Sequence, residues 1–327
     1  MRFMTDVHLI PALEDRALGC LVGLAVGNVL GLSVESRSRE DVRSRLGASG
    51  PFTRLPIQEM NREWDDDLAM AMALSETLLH LGPEAEHLDT AAILEAYLAW
   101  LRTGSRGIGS LTREVLIKAL AGEPNAAERV WKIRSDRGQP PLGNGAAMRI
   151  APLGVAFAGQ PPRITHLAAE DAALTHWDPI CRQTAGLIAL LAAALVRGEG
   201  APLTFARSHI GSLLPEISEA YHPLSLEQLA DQRIDRWDMG STLVALQVAV
   251  SVLASGLPYA EALPWVIRQG GDTDTNGAIV GALLGARDGI AAIPQEWRDC
   301  VAEEDRILHM GRGLLVRTGL TLATKQP

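Results

Sequence analysis

Apolar residues recur along most of this chain with the three- and four-residue spacing of helices that bury one face. Alanine and leucine fill most of these positions, and few β-branched residues alternate with polar ones. No segment has the pattern of a convincing strand or hairpin. The predicted fold class is therefore all-α, with its principal helices over 16–26, 68–81, 89–102, 184–196, 240–255, 259–269 and 277–290.

Glycine and proline mark the connections and the helix edges. The clearest breaks are GQPPLGNG at 138–145 and AGQPPR at 158–163. GLAVGNVLG and GALLGARDG resemble each other because both are small-residue helix edges, which would let two helices approach closely. We find no internal repeat.

Composition and charge narrow the function classes. The 327 residues carry a net charge of −9 and form no basic stripe, so we expect no nucleic-acid partner. Cys20, Cys181 and Cys300 are far apart, which predicts reduced thiols and a cytoplasmic location. The start lacks the pattern of a signal peptide. The longest apolar run, 184–196, falls short of the about 20 residues that span a bilayer, so we expect a buried core helix and no membrane partner.

Three consecutive aspartates, Asp65, Asp66 and Asp67, stand directly before the predicted helix at 68–81. Acidic residues at a helix start have an ordinary explanation, since each interacts with the helix dipole by about 0.3–1 kcal/mol. One cap needs one acid, however, and three adjacent carboxylates repel one another. A bound cation would relieve that repulsion.

A second acidic cluster precedes another apolar helix. GGDTDTNG begins at Gly270 and offers the carboxylates of Asp272 and Asp274 beside the hydroxyl of Thr275. Such hard oxygen donors suit Mg²⁺, Mn²⁺ or Ca²⁺ better than zinc. Two acidic clusters that each open a helix predict a metal site where the two helix starts converge.

Glycine-bearing turns offer a second kind of chemistry. GNGAAMR, from Gly143, and TGSRGIGSLT, from Thr103, would each present backbone N–H groups as a cradle for a diphosphate. A plain turn between helices remains the alternative for both. His176 lies at a helix boundary, where a capping or core role is the alternative to a functional one. Glu35 lies in a loop, and its position alone does not select it.

Six stretches together resemble the ADP-ribosylglycohydrolase family, which contains dinitrogenase-reductase-activating glycohydrolases and ADP-ribosyl-arginine and ADP-ribosyl-serine hydrolases. They occur in the family's order over residues 19–286. These stretches are GCLVGLAVGNVLGLSVES, WDDDLAMAMALSETLL, GSRGIGSLT, GNGAAMRIAPLGV, LTHWDP and GGDTDTNGAIVGALLGA. The resemblance implies a single compact multi-helix domain over 12–320, with a binuclear metal site at helix N-termini.

The resemblance also implies a hydrolase that cleaves the bond between ADP-ribose and an acceptor, with ADP-ribose or an ADP-ribosylated molecule as its partner. The implied cofactors are two Mg²⁺ or Mn²⁺ ions. The implied metal ligands are Asp65, Asp66, Asp67, Asp272, Asp274 and Thr275. The implied catalytic residues are Glu35, Asp66 and Asp67. The implied substrate-binding residues are Ser105, Gly107, Gly109, Gly143, Asn144, Gly145, Met148 and His176.

Two positions depart from the family pattern. Asp65 stands where the family has threonine, and Asn28 stands where the usual GDALG has aspartate. The added charge at Asp65 would tighten cation binding or change the metal preference, with Ca²⁺ as an alternative ion. The departures leave two other functions open: an ADP-ribose-binding protein without activity, or a hydrolase of a different N- or O-riboside.

Overall fold

A computed structural model describes residues 13–49, 64–82, 85–318 and 320. Within these ranges the chain forms α-helices and no β-strand, which confirms the predicted fold class. The helices are α1 (Leu13–Leu32), α2 (Arg39–Leu46), α3 (Asp66–His80), α4 (Thr90–Arg102), α5 (Ser110–Leu120), α6 (Ala126–Ser135), α7 (Ala151–Ala156), α8 (Pro161–Ala173), α9 (Pro179–Arg197), α10 (Pro202–His209), α11 (Pro215–Ala220), α12 (Leu226–Asp231), α13 (Thr242–Ser255), α14 (Tyr259–Ile267), α15 (Thr273–Asp288), α16 (Gln295–Arg298) and α17 (Glu304–Arg317).

All seven predicted helices form, as α1, α3, α4, α9, α13, α14 and α15. The periodicity missed the shorter or more polar helices, such as α2 and α17. The proposed break at 158–163 is only partly a connector, because α8 begins inside it at Pro161. A proline at the first helical position loses no hydrogen bond, since that N–H has no partner within the helix.

Glycines join α1 and α15 into a close antiparallel pair. Gly23 faces Gly281, and a Cβ atom at Gly23 would lie 2.2 Å from the Gly281 carbonyl oxygen. The same spacing recurs along the pair, so side chains cannot be inserted between the two backbones. The facing pairs are Gly19 with Gly285, Gly23 with Gly281, Gly27 with Gly277, and Gly31 with Thr273. The predicted close approach of small-residue helix edges is confirmed.

Helix α9 lies in the core, as its apolar run predicts. By length and composition both α1 and α9 would pass as membrane spans, but 83% and 78% of their apolar windows are buried inside the protein. The residues from Leu187 to Ala194 are all at most 1% exposed. Burial against neighbouring helices therefore accounts for the hydropathy of both helices.

The antiparallel pairing places the start of α15 beside the end of α1. The Thr273 hydroxyl donates to the Gly31 carbonyl oxygen at 2.8 Å. Helix α3 begins next to the same place, because the Asn28 side chain of α1 donates to the Asp67 carboxylate at 3.1 Å. Three helix ends thus meet at one end of the central pair, and all carry acidic or amide side chains.

Candidate active site

The start of α3 holds the first acidic cluster in a buried position. Asp65 and Asp67 are 0% exposed, and Asp66 is 7% exposed. Asp65 occupies the N-cap position, but its side chain makes no cap hydrogen bond. Both of its carboxylate oxygens, and Asp67 Oδ1, lack a hydrogen-bond partner among the described residues. Helix capping therefore does not explain the three aspartates.

The start of α15 holds the second cluster on a glycine turn. Gly270 and Gly271 have φ values of 73° and 79°, and a Cβ at either position would lie within 2.7 Å of a backbone carbonyl oxygen. Only glycine fits such a turn without strain. Gly271 pairs with Arg37 in an antiparallel bridge. The Gly271 N–H donates to Arg37 O at 2.8 Å, and the Ser36 N–H donates to Gly271 O at 2.8 Å. The loop that carries Glu35 is thereby fastened to the second cluster.

The two clusters open into one cleft of about 230 Å³. Asp66, from α3, lines it together with Asp272, Asp274 and Thr275, from α15. Glu35 lies at the same cleft and keeps exposed surface. Asp65 and Asp67 are buried beside Asp66, and each of the three aspartates offers a carboxylate oxygen within 4.8 Å of the others. The fold therefore brings together two sequence segments that are about two hundred residues apart.

Burial and mutual repulsion raise the pKa values of these carboxyl groups. Burial raises the pKa of Asp65 to about 6. Burial and the charge of Asp65 raise the pKa of Asp66 to about 7. Burial and a neighbouring carboxylate charge, that of Asp65 for Asp67 and that of Asp272 for Asp274, hold the pKa values of these two groups well above the ordinary value. Burial, followed by the charge of Asp272, also raises the pKa of Glu35.

This concentration of buried acid fits divalent cations. The unpartnered oxygens include both of Asp65, Oδ1 of Asp67 and Oδ1 of Asp274. A buried carboxylate without a partner costs several kcal/mol unless it is paired or coordinates a metal. Carboxylate and hydroxyl oxygens are also the donors that Mg²⁺, Mn²⁺ and Ca²⁺ prefer.

The GNG turn packs around His176. A Cβ at Gly145 would lie 2.8 Å from His176 Cε1, and a Cβ at Gly143 would lie 3.1 Å from its Nε2. The two glycines thus leave room for the imidazole, which lines the cleft although the residue is 2% exposed. The Asn144 N–H donates to Gly240 O at 3.1 Å, and binding of a diphosphate by the other N–H groups of this turn stays a prediction. The Asn144 side chain donates to Asp272 Oδ2 at 2.7 Å instead.

A buried ion pair orients His176. Arg149 donates to Asp171 at 3.0 Å and to the Thr175 hydroxyl at 2.9 Å. Because that hydroxyl accepts from Arg149, its own proton is free to donate to His176 Nδ1, which lies 2.8 Å away. His176 Nε2 lies on the side of the glycines. Burial and the nearby Arg149 charge lower the pKa of His176 to about 3, so the ring is neutral.

The loop between α4 and α5 closes another side of the cleft. Gly109 N–H donates to Asp66 Oδ2 at 3.3 Å. Gly107 has a φ of 76°, and a Cβ there would lie 2.8 Å from Asp66 Oδ1. Both glycines line the cleft, as does Met148 from the GNG stretch. Ser105 lies in the same loop but is not one of the lining residues, so its role in binding stays a prediction.

Sequence reasoning missed several lining residues. They are Ser36, Ser110, Leu111, Thr112, Met239 and Gly240. Four of them, Ser36, Ser110, Leu111 and Thr112, lie within the stretches that carry the family resemblance, which was the available signal. Met239 and Gly240 precede α13 and had no motif to mark them. They reach the cleft because Thr242 N–H donates to Leu142 O at 2.8 Å, which fastens their loop to the GNG turn.

Comparisons with known proteins agree with this geometry. The model of the ADP-ribosylglycohydrolase family matches residues 10–323. The chain is 26% identical to an ADP-ribosyl-dinitrogen reductase glycohydrolase of Rhodospirillum rubrum, over 88% of this chain and 90% of that protein. It is 25% identical to an ADP-ribosylarginine hydrolase of Serratia proteamaculans, over 95% and 82%. It is 25% identical to an ADP-ribosylhydrolase of Homo sapiens, over 87% and 88%. A solved structure described as an ADP-ribosylglycohydrolase-related protein complex has a TM-score of 0.73 and 26% identity, over 94% of this chain and 99% of that one.

Proposed function

The chain belongs to the ADP-ribosylglycohydrolase family, and from that premise we propose a divalent-cation-dependent hydrolase that cleaves the bond between ADP-ribose and an acceptor. The acceptor is a protein side chain such as arginine or serine, or a small ADP-ribose conjugate. One observation carries the proposal: two distant acidic clusters share a cleft and leave buried carboxylate oxygens without hydrogen-bond partners in the described part of the chain.

The proposed cation ligands come from both helix starts. They are Asp65, Asp66 and Asp67 with Asp272, Asp274 and Thr275, and we propose Mg²⁺ or Mn²⁺ as the ions. When bound, the cations supply Lewis acidity and lower the pKa of a coordinated water. Asn28 and Asn144 each donate an amide hydrogen bond to one of the carboxylates and so fix its orientation.

Hydrolysis breaks the bond from the anomeric carbon of ribose to the acceptor atom, and water supplies the hydroxyl and the proton. We assign proton transfer to Glu35 or to an aspartate such as Asp66. The raised pKa of Glu35 suits it either to protonate the leaving atom or to take a proton from water. Neutral His176 lines the cleft beside the glycine turn and helps to position the substrate.

The cleft is smaller than most sites for whole ligands, which have volumes of about 300–1,000 Å³. With a volume of about 230 Å³, it suits the ribose and the bond that is cleaved. We therefore expect the rest of ADP-ribose to lie along the glycine loops at Gly107 and Gly143.

The free cysteines, of which Cys20 and Cys181 are buried, support the proposed cytoplasmic location. The family match supports one domain over 12–320.

The test uses ADP-ribosylated arginine and serine peptides with Mg²⁺ or Mn²⁺ and measures the release of ADP-ribose by chromatography. The variants are Asp66→Asn and Asp274→Asn, and Asp305→Asn is the matched control because it lies on the exposed start of α17. Calorimetry with Mn²⁺ measures cation binding independently. We expect the first two variants to lose cation binding and turnover, and the control to keep both.

Two results would contradict the proposal. A protein that binds Mn²⁺ and ADP-ribose but releases nothing from either peptide or from small conjugates would be a binding protein. Turnover of another riboside that free ADP-ribose does not inhibit would show that the site does not recognise the diphosphate.

A further inference from the structure

A second group of metal-ligating side chains lies on the surface, outside the cleft. His166 and Glu170 lie one turn apart on α8, and His87 lies in the segment before α4. His87 Nδ1 is 2.5 Å from Glu170 Oε1, and His166 Nε2 is 3.1 Å from the same oxygen. The two imidazole nitrogens are 3.1 Å apart. Three potential ligand atoms therefore converge from two separate parts of the chain.

We propose that His87, His166 and Glu170 form a transition-metal site of the kind that binds Zn²⁺. Three atoms at these separations share a point about 2.1 Å from each of them, which is the usual Zn–N and Zn–O distance. Imidazole with one carboxylate suits Zn²⁺, whereas all-oxygen sites suit Mg²⁺. The three protein ligands leave further coordination positions open to solvent or to a small ligand.

The supports around these residues also fit a metal site. The second oxygen of Glu170, Oε2, accepts the Leu88 N–H at 2.8 Å, which fixes the carboxylate and leaves Oε1 directed at the imidazoles. Outer hydrogen bonds of this kind orient the ligands of metal sites. Glu170 is 19% exposed at its side chain, while the histidines, at 68% and 56%, stay accessible to an ion from solvent.

An ordinary ion pair accounts for the group less well. One protonated imidazole would satisfy Glu170, and a second would gain little from turning its nitrogen toward the first. If both rings donated to Oε1, two N–H groups only 3.1 Å apart would point at one oxygen, and their partial positive charges would repel each other. A cation between the three atoms removes this conflict, because both neutral rings then present lone pairs. The metal would fasten the segment before α4 to α8.

Zinc calorimetry in saturating Mg²⁺ tests the proposal, because Mg²⁺ occupies the acidic cleft and leaves the His–Glu site free. We expect wild type to bind one more Zn²⁺ than the His87→Ala, His166→Ala double variant. The matched control is the His222→Ala, His309→Ala double variant, which removes two other exposed histidines and keeps that ion. Glu170→Gln keeps an oxygen that accepts the Leu88 N–H but loses the charge of the ligand. Loss of a hydrogen-bond partner of a metal ligand lowers metal affinity by about 10–100-fold, so we expect loss of this charge to lower zinc affinity by more.

The outcome is independent of the proposed hydrolase activity. Asp66→Asn should keep the surface Zn²⁺ while it loses turnover, and the His87, His166 double variant should keep turnover in Mg²⁺. Co²⁺ titration gives a second readout, since imidazole coordination changes its visible absorption in wild type and in the His222, His309 control. Equal zinc stoichiometry in wild type and in the His87, His166 variant would overturn the proposal. Loss of the extra Zn²⁺ in Asp66→Asn would also overturn it.

Discussion

The close pairing of α1 and α15 can be tested by placing one methyl group between them. In Gly27→Ala the new Cβ would lie 1.9 Å from the Gly277 carbonyl oxygen and 2.4 Å from the Gly277 carbonyl carbon. Ordinary van der Waals contact begins near 3.4 Å. Both obstructing atoms are backbone, so no side chain can rotate away. The helices must separate locally by more than an ångström.

The matched control is Gly186→Ala in α9, which is also a buried glycine inside a helix. There the nearest atom to a new Cβ is Thr165 Cα at 3.6 Å, so the methyl group fits. Alanine favours a helix over glycine by about 1 kcal/mol, and this gain is common to both substitutions. Overpacking costs about 1–3 kcal/mol and occasionally more, and only Gly27→Ala incurs it.

Thermal unfolding measures the contrast. Subtracting the helix gain from the overpacking cost leaves a net loss of about 0–2 kcal/mol for Gly27→Ala. At about 2–4 °C per kcal/mol for a large domain, we expect its melting temperature to lie up to about 8 °C below that of wild type and roughly 2–12 °C below that of Gly186→Ala. We expect Gly186→Ala to leave it unchanged or raise it slightly. Calorimetry should also show weaker Mn²⁺ binding in Gly27→Ala, because α15 carries Asp274 one turn away from Gly277. The reasoning fails if the two variants are equally stable.

Three further outcomes follow from the buried charges. The raised pKa values of Asp65 and Asp66 mean that the folded, metal-free protein holds protons that the unfolded chain releases, so its stability falls as pH rises from about 4 through about 7. Melting curves in a chelator should show this fall, and saturating Mg²⁺ should suppress it. A melting temperature of the metal-free protein that does not change with pH would contradict the prediction. Asp65→Asn removes the charge of a buried carboxylate that has no hydrogen-bond partner among the described residues, so the variant should melt at a higher temperature than wild type when both are metal-free. It should also bind Mn²⁺ at least about tenfold more weakly, and an unchanged affinity would exclude Asp65 as a ligand. Arg149→Met leaves Asp171 buried without its ion-pair partner and should lower the free energy of unfolding, measured with denaturant, by about 3–5 kcal/mol. The double variant Arg149→Met, Asp171→Leu should recover much of this loss.

The sequence by itself predicts the local features of the chain: its apolar helices, its small-residue helix edges and its acidic stretches. Helical periodicity identified α1, α3, α4, α9, α13, α14 and α15, because burial of one helix face leaves a repeat in the sequence. The glycine spacing likewise predicted a close helix pair. The acidic stretches predicted a metal site, although capping by Asp65 and Asp272 remained an equally local explanation. The structure rejects that explanation, since neither side chain makes a cap hydrogen bond.

Some of the site follows only from contacts between distant segments. Met239 and Gly240 reach the cleft through the pairing of their loop with the GNG turn, and no motif marks them. The GNG glycines also make room for the His176 ring, a contact with a distant residue that no local pattern marks. The convergence of His87 on Glu170 depends on how α8 packs beside the segment before α4.

Sequence alone determined the seven apolar helices named above, the acidic starts of α3 and α15, and the small-residue edges, because each is a local pattern of side-chain size, polarity and backbone freedom. Tertiary structure decided that the two acidic starts face one cleft and that four of their buried carboxylate oxygens have no hydrogen-bond partner among the described residues. The physical reason is packing: the direction in which α1 and α15 pair determines which helix ends meet, and burial then raises the pKa values of the carboxyl groups.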